Sequence, residues 1–163
     1  MTSFDGYPVR WVANCFLQHS FKRSELISPM KLQKLVYYLH GWHLASTGLP
    51  VIDSRFSVWR YGPVEPTLYS TFKRFGRSPI TVYAKEPDNP REYWVVSKKD
   101  SEFQSVFEYV VKNYFSLSAI ELSARTHSKH SPWQIAKDTR NYYIDNELIK
   151  GYFINLARNP VIE

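Results

Sequence analysis

The segment from Ser28 to Gly48 constrains the fold more than any other part of the sequence. Ser28 followed by Pro29 is typical of a helix N-cap and first helical residue, and Gly48 is typical of the position where a helix ends. At 100° per residue, apolar side chains occupy two faces of this helix: Leu32, Leu35, Val36, Leu39 and His43 on one, and Tyr37, Tyr38, Gly41, Leu44 and Ala45 on the other. A helix with two apolar faces must be packed on both sides. We therefore predict a central helix that is buried in an α-rich core.

Further helices are predicted along the rest of the chain. Hydrophobic periodicity and capping residues place them at 7–21, 67–75, 97–114, 118–126, from 131 onward, and 145–158. Ser97 is the predicted N-cap of the third of these, and Ser118 with Glu121 forms a predicted capping box. Gly41 and Ala45, four residues apart on the central helix, predict that a neighbouring helix approaches closely there.

Two segments predict β-structure. Residues 51–59 are β-branched and aromatic with alternating polarity, which predicts a strand, and residues 61–66 predict a loop. Residues 80–96 predict a small β-hairpin whose arms flank a proline-rich connection. Together, the predicted helices and strands indicate a mainly α fold. We expect a compact single-domain helical bundle around a central buried helix with a small antiparallel β element, spanning 1–163 with a core of about 7–158.

Composition and charge narrow the class of protein. Hydrophobic residues make up 44% and aromatic residues 17% of 163 residues, which is typical of a folded protein rather than a disordered one. No apolar run approaches the ~20 residues that span a bilayer, and the N-terminus lacks a secretory pattern. We therefore expect a cytoplasmic protein with no membrane partner. The net charge of +6 permits nucleic-acid binding, but the basic residues are scattered, which disfavours it.

No catalytic or metal-binding motif stands out. The sequence lacks a phosphate-binding loop, a zinc-protease motif, a nucleophile elbow and a dinucleotide fingerprint. Cys15 is the single cysteine, so packing is its favoured role. His40 and His43 lie three apart on the central helix without a carboxylate beside them, which favours packing and hydrogen bonding over metal binding. We predict no catalytic residues, no metal and no cofactor.

Two features carry both a structural and a functional interpretation. Lys34 projects among apolar neighbours of the central helix. Its stem can pack on tyrosines while its ammonium reaches water or a carboxylate, or it can anchor an acidic group of a partner. The sequence Trp-Arg-Tyr-Gly-Pro at 59–63 is aromatic, basic and rigid. This composition is typical both of binding hot spots and of a tight structural turn.

The order of motifs resembles the Panacea antitoxin domain, which is found in phage-associated GepA-like proteins and SocA-type antitoxins. Three segments carry the resemblance, at 28–53, 56–73 and 117–137, and it extends from about residue 9 to residue 153. The most specific markers are the run Lys-Leu-x-Tyr-x-x-x-Gly-Trp-His-Leu at 34–44, the Tyr-Gly-Pro-Val motif at 61–64, and Pro132-Trp133. Tyr38 and Leu39 depart from the residues that are common in the family. The region 80–96 is variable among members.

The resemblance implies an antitoxin of a type II-like toxin–antitoxin system that neutralises a cognate protein toxin by direct binding. One alternative is a proteolytic adaptor or phage-related interaction protein that delivers a partner to the ClpXP protease, and a further alternative is a nucleic-acid-binding protein. The candidate partner-binding residues are Lys34, Tyr38, Trp42, Arg60, Tyr61, Gly62, Pro63, His127 and Trp133. Several of them carry the alternative interpretation that they define the fold. The oligomeric state is left open.

Overall fold

The computed structural model describes residues 5–160, which form seven α-helices and a two-stranded sheet. In chain order these are α1 (Val9–Arg23), α2 (Pro29–Thr47), β1 (Ser57–Trp59), β2 (Gly62–Val64), α3 (Pro66–Phe72), α4 (Ser101–Tyr114), α5 (Ala119–Thr126), α6 (Pro132–Asp138) and α7 (Asn146–Arg158). A 3₁₀ turn, Lys73–Phe75, extends α3. The mainly α prediction with a small antiparallel element is confirmed.

The central helix is α2, as its two apolar faces predict. The Ser28 side chain accepts a hydrogen bond from the Lys31 backbone N–H, and Gly48 ends the helix in the left-handed conformation. Helices α7 and α4 make its most extensive contacts, and α5 and α1 also pack on it. A Cβ atom built on Gly41 would lie 2.2 Å from the Phe153 ring of α7. The predicted close helix approach at Gly41 is therefore present.

The second strand of the two-stranded sheet lies where a loop was predicted. β1 and β2 pair antiparallel, with Ser57 opposite Val64 and Trp59 opposite Gly62. The loop prediction for 61–66 is thus wrong at 62–64. The strand prediction for 51–59 holds only at its end, since Ile52 forms just an isolated bridge with Tyr7.

The predicted hairpin at 80–96 is wrong, because its arms form no regular strands. The chain does reverse there: the Glu86 N–H donates to the Glu92 carbonyl at 2.8 Å, and the Tyr83 and Tyr93 rings stack at 3.9 Å. Helix α1 supplies the reason. The buried Asn14 amide accepts from the backbone N–H of Ala84 and donates to the carbonyls of Ala84 and Trp94. A side chain therefore satisfies backbone groups that strand pairing would otherwise bind.

The N-cap of α4 also differs from the prediction. Asp100, not Ser97, accepts a hydrogen bond from the Phe103 N–H at 3.0 Å and also accepts one from the Tyr7 hydroxyl. The Ser97 hydroxyl instead accepts from the Lys99 N–H in the preceding turn. The Ser118–Glu121 capping box is present. Within residues 5–160, no helix combines the length and apolarity needed to cross a membrane.

Candidate partner-binding surfaces

Four side chains fix the backbone of the β1–β2 hairpin by binding its carbonyl oxygens. Lys34 Nζ donates to Pro63 at 3.0 Å, Ser123 Oγ to Tyr61 at 2.8 Å, and Trp133 Nε1 to Trp59 at 2.8 Å. His127 Nε2 lies 3.2 Å from the carbonyl oxygen of Arg60. We call Lys34, Ser123, His127 and Trp133 the hairpin clamp. Helices α2, α5 and α6, together with the residue after α5, thus hold one short turn in a defined conformation.

Lys34 is the most unusual member of the hairpin clamp. Its side chain is 1% exposed, and the ion pairs found within residues 5–160, Arg10–Glu86 and Arg23–Glu25, do not include it. Burial lowers the pKa of Lys34 to about 7. The ammonium therefore reaches neither open solvent nor a carboxylate of the described chain. It binds a backbone carbonyl of the turn instead.

The turn requires glycine at position 62. Gly62 has a φ of +112°, and a Cβ atom there would lie 2.7 Å from Thr126 Oγ1 and 3.1 Å from Lys34 Nζ. The backbone of the hairpin thus passes directly over the lysine and threonine side chains. Close approach at Gly62 is what brings the Pro63 carbonyl within reach of Lys34.

His127 connects the turn to α5. Its Nδ1 lies 2.6 Å from the Ser123 carbonyl oxygen, and its ring centroid lies 4.0 Å from that of Trp133. Both ring nitrogens therefore face carbonyl oxygens. Within this fixed turn, Arg60 and Tyr61 point outward: Tyr61 is 57% exposed, and the Arg60 guanidinium lies 5.4 Å from its ring centroid.

A second surface is an open groove of about 860 Å³, which we call the aromatic groove. Helix α2 forms its floor with Tyr38, Trp42 and Ser46. The walls come from α4, the end of α5 and the segment after it, and α7 with the residues that follow it. Their lining residues are Ser105, Val106, Tyr109, Tyr114, Arg125, Ser128, Lys129, His130, Tyr152, Asn155, Leu156, Ala157, Asn159 and Pro160.

Aromatic contacts order the floor of this groove. The Tyr38 and Tyr114 rings stack at 4.4 Å, and Trp42 Nε1 donates to the Tyr114 hydroxyl at 3.0 Å. Burial raises the pKa of Tyr38 well above its ordinary value, so its hydroxyl stays protonated. Tyr109 makes an edge contact with Trp42 while 46% of its own surface remains exposed. The groove therefore offers ordered aromatic surface to solvent.

The structure divides the sequence candidates between these two surfaces. Tyr38 and Trp42 line the aromatic groove. Lys34, Arg60, Tyr61, Gly62, Pro63, His127 and Trp133 belong to the hairpin clamp or to the turn it holds. Sequence reasoning missed the α4 and α7 walls. One signal was available: Tyr109 is aromatic, yet it lies outside the apolar stripe of α4.

The other titratable residues that the sequence analysis considered, His40, His43 and Cys15, are buried. His40 Nδ1 accepts from the Val51 N–H at 3.4 Å, which leaves Nε2 to donate to Asn146 Oδ1 at 2.9 Å. Burial lowers the pKa of His40 to about 4. His43 Nδ1 lies 2.7 Å from the Leu49 carbonyl oxygen. Cys15 is 7% exposed, and burial raises the pKa of its thiol to about 11. These residues pack and form hydrogen bonds, and the described chain contains no cluster of three metal-ligating side chains.

A helical bundle with an aromatic groove and a fixed, outward-facing turn has the features of a protein-binding module. The family model of the Antitoxin SocA-like, Panacea domain matches residues 32–134. This chain belongs to that family. It is 31% identical over 128 residues to Antitoxin SocA of Caulobacter vibrioides (strain NA1000 / CB15N), an alignment that covers 77% of this chain and 68% of that protein. No solved structure matches.

The matched range separates the two surfaces. It includes every residue of the hairpin clamp, Lys34, Ser123, His127 and Trp133, together with the turn that the clamp holds. It ends before α7, so the wall from Tyr152 to Pro160 lies outside it. The aromatic groove therefore combines a floor from inside the matched range with a wall from outside it.

Proposed function

We propose that this chain is the antitoxin of a toxin–antitoxin pair and neutralises a cognate protein toxin by direct binding rather than by catalysis. One observation carries the proposal: the chain aligns over 68% of the length of a protein named Antitoxin SocA and falls within the family of that name. The cytoplasm is the proposed site of action.

The geometry supports a binding role. The hairpin clamp uses its polar groups internally, on backbone carbonyls, and so holds the turn in one conformation. Arg60 and Tyr61 project from this turn, and the aromatic groove presents the exposed Tyr109 beside the partly buried Trp42. Aromatic and arginine side chains on a rigid scaffold are the residues most enriched among binding hot spots. Because little ordering is needed on association, such surfaces bind without a large entropic penalty.

Co-expression tests the proposal. The protein encoded next to this gene is induced in a host, alone and together with this chain. We expect growth arrest with the neighbour alone, restored growth with both, and co-purification of the two proteins as a stoichiometric complex. Continued arrest despite abundant folded antitoxin would overturn the proposal.

The same experiment separates sequestration from the adaptor alternative. It is repeated in hosts lacking either subunit of ClpXP, with toxin abundance followed by immunoblotting. Simple sequestration predicts restored growth and undiminished toxin in both hosts. Delivery to the protease predicts that rescue and toxin loss require ClpXP. We propose sequestration, because it requires one bound partner, whereas delivery to a protease requires binding of both the toxin and the protease.

A further inference from the structure

The aromatic groove has the dimensions of a site for one additional segment of polypeptide. Tyr38, Trp42 and Ser46 are spaced four residues apart on one face of α2, so the floor extends about 12 Å at 1.5 Å per residue. Tyr152, Asn155 and Leu156 of α7, with its C-cap residue Asn159, follow the i, i+3, i+4, i+7 spacing of a single helix face. Helices α4 and α7 thus pack beside α2 and leave its outer face partly uncovered.

Charge identifies the chemistry of the occupant. The basic residues that line the groove are Arg125, Lys129 and His130. All three lie on α5 or just after it. No aspartate or glutamate occurs among the described lining residues. Lys129 and His130 are exposed, so an incoming group reaches them without rearrangement of the core. One end of the groove is therefore basic, and its floor is aromatic.

We propose that the aromatic groove binds an acidic amphipathic segment of the partner protein, which under the proposed function is the toxin. The apolar face of that segment packs on Trp42 and Tyr109, and its carboxylates face the exposed Lys129 and His130. This is the helix-in-groove mode of recognition, in which apolar anchors supply affinity and complementary charges set orientation and partner choice. The identity of the partner rests on the proposed function, whereas the chemistry of the groove does not.

The aromatic groove is assembled from two parts of the chain. The α7 wall lies outside the range matched by the family model, whereas the hairpin clamp lies inside it. A surface assembled partly from residues beyond the family pattern can differ between members while the clamped core stays the same. The α7 wall is therefore the part of the groove in which toxin selection can vary, whereas Trp42, Tyr109 and the basic lining residues lie within the matched range.

Charge-introducing variants with matched controls test the proposal. Tyr109→Glu and Lys129→Glu place a carboxylate in the groove at exposed positions. Ile120→Glu, at a residue that is 79% exposed on α5, and Lys112→Glu, on α4, make comparable changes outside the groove. Each variant is assayed for melting temperature, toxin neutralisation and toxin affinity. Fluorescence polarisation then measures binding of two labelled helical peptides with one leucine–phenylalanine stripe, carrying either glutamates or lysines on the polar face.

We expect the groove variants to keep their melting temperatures and to lose toxin affinity about tenfold or more, because like charges are then juxtaposed in the interface. The control variants should neutralise the toxin as the natural sequence does. The glutamate peptide should bind the natural chain more tightly than the lysine peptide, and the groove variants should remove that preference.

The outcomes separate this inference from the proposed function. Normal toxin neutralisation by both groove variants would overturn the proposal that the groove binds the toxin, while leaving the antitoxin function intact. If the chain neutralises no toxin but binds the glutamate peptide selectively at the groove, the proposed antitoxin function is overturned and the proposed chemistry of the groove is supported. Equal binding of both peptides would overturn the assignment of an acidic occupant. Self-association that the groove variants abolish would identify a second copy of this chain as the occupant and also overturn it.

Discussion

The Nζ atom of Lys34 donates a hydrogen bond to the carbonyl oxygen of Pro63 at 3.0 Å, in an interior where the lysine side chain is 1% exposed. This contact joins the central helix α2 to the hairpin turn. A protonated amine in such surroundings is costly because it has lost its hydration shell. The sequence presents Lys34 as an anomaly, and the structure gives it a function within the fold.

Lys34→Met should change how stability depends on pH. The folded-state pKa of Lys34 is about 7, below its ordinary value, so between pH 7 and 8.5 the unfolded chain keeps a proton that the folded chain has released. The free energy of unfolding of the natural chain should therefore rise by about 1.5 kcal/mol over this window from this group. In Lys34→Met that rise should be absent. Urea unfolding at several pH values measures it, and parallel pH profiles for the two chains would contradict the prediction.

Trp133 and Tyr61 should respond differently to truncation, although the sequence marks both as candidate partner-binding residues. Trp133 is 3% exposed and donates to the Trp59 carbonyl, whereas Tyr61 is 57% exposed. Trp133→Ala should lower the free energy of unfolding by about 3–5 kcal/mol. Tyr61→Ala should change it by no more than about 0.5 kcal/mol. Thermal unfolding followed by far-ultraviolet circular dichroism compares the two, and equal destabilisation would show that the exposed ring is also part of the core.

Two helical glycines form a matched pair for testing the packing of α2 on α7. A Cβ atom at Gly41 would lie 2.2 Å from Phe153 Cε2, whereas one at Gly151 would meet nothing within 4 Å. Gly41→Ala should destabilise the protein by about 1–3 kcal/mol through overpacking. Gly151→Ala should stabilise it by about 0.5–1 kcal/mol, because alanine loses less backbone entropy in a helix. Urea midpoints that move in the same direction would contradict the close approach of Phe153.

Local signals predicted helices better than they predicted strands. The bounds of α2 followed from Ser28, Pro29 and Gly48, since capping depends on residues within one turn. The hairpin at 80–96 failed because its backbone partner is Asn14, some 70 residues earlier in the chain. Alternating polarity shows that a segment is half-buried, but it does not show whether a strand or a side chain binds the backbone.

The candidate surfaces illustrate the same limit. Lys34, the 60–63 turn, His127 and Trp133 were each singled out from sequence, but their convergence on one hairpin depends on tertiary contacts. Only part of the aromatic groove could be predicted from the sequence. Tyr38 and Trp42 were identified, whereas the wall from α7 depends on which helix faces remain uncovered after packing. Periodicity marks an apolar face without showing how completely a neighbour covers it.

His40 should make the fold sensitive to mild acid. Its folded-state pKa of about 4 lies below the ordinary value of 6.5, so above pH 6.5 both the folded and unfolded chains carry it neutral. As pH falls from 6.5 toward 4, the unfolded chain gains a proton that the folded chain does not, and stability is lost. Burial also lowers the pKa of His19, which adds a loss of the same sign. The comparison must therefore be made between chains that differ only at His40.

His40→Gln should reduce this acid sensitivity, since glutamine does not titrate and can still offer an acceptor toward Val51 and a donor toward Asn146. Between pH 6.5 and 4.5, the variant should lose about 2 kcal/mol less unfolding free energy than the natural chain. Urea titrations at half-unit pH intervals give both curves. If the curves stay parallel throughout this window, His40 either accepts a proton in the folded state or is not enclosed as the structure shows. Curves that diverge as pH falls from 6.5 toward 4, and that keep a constant difference below pH 4, assign the acid transition to this buried histidine.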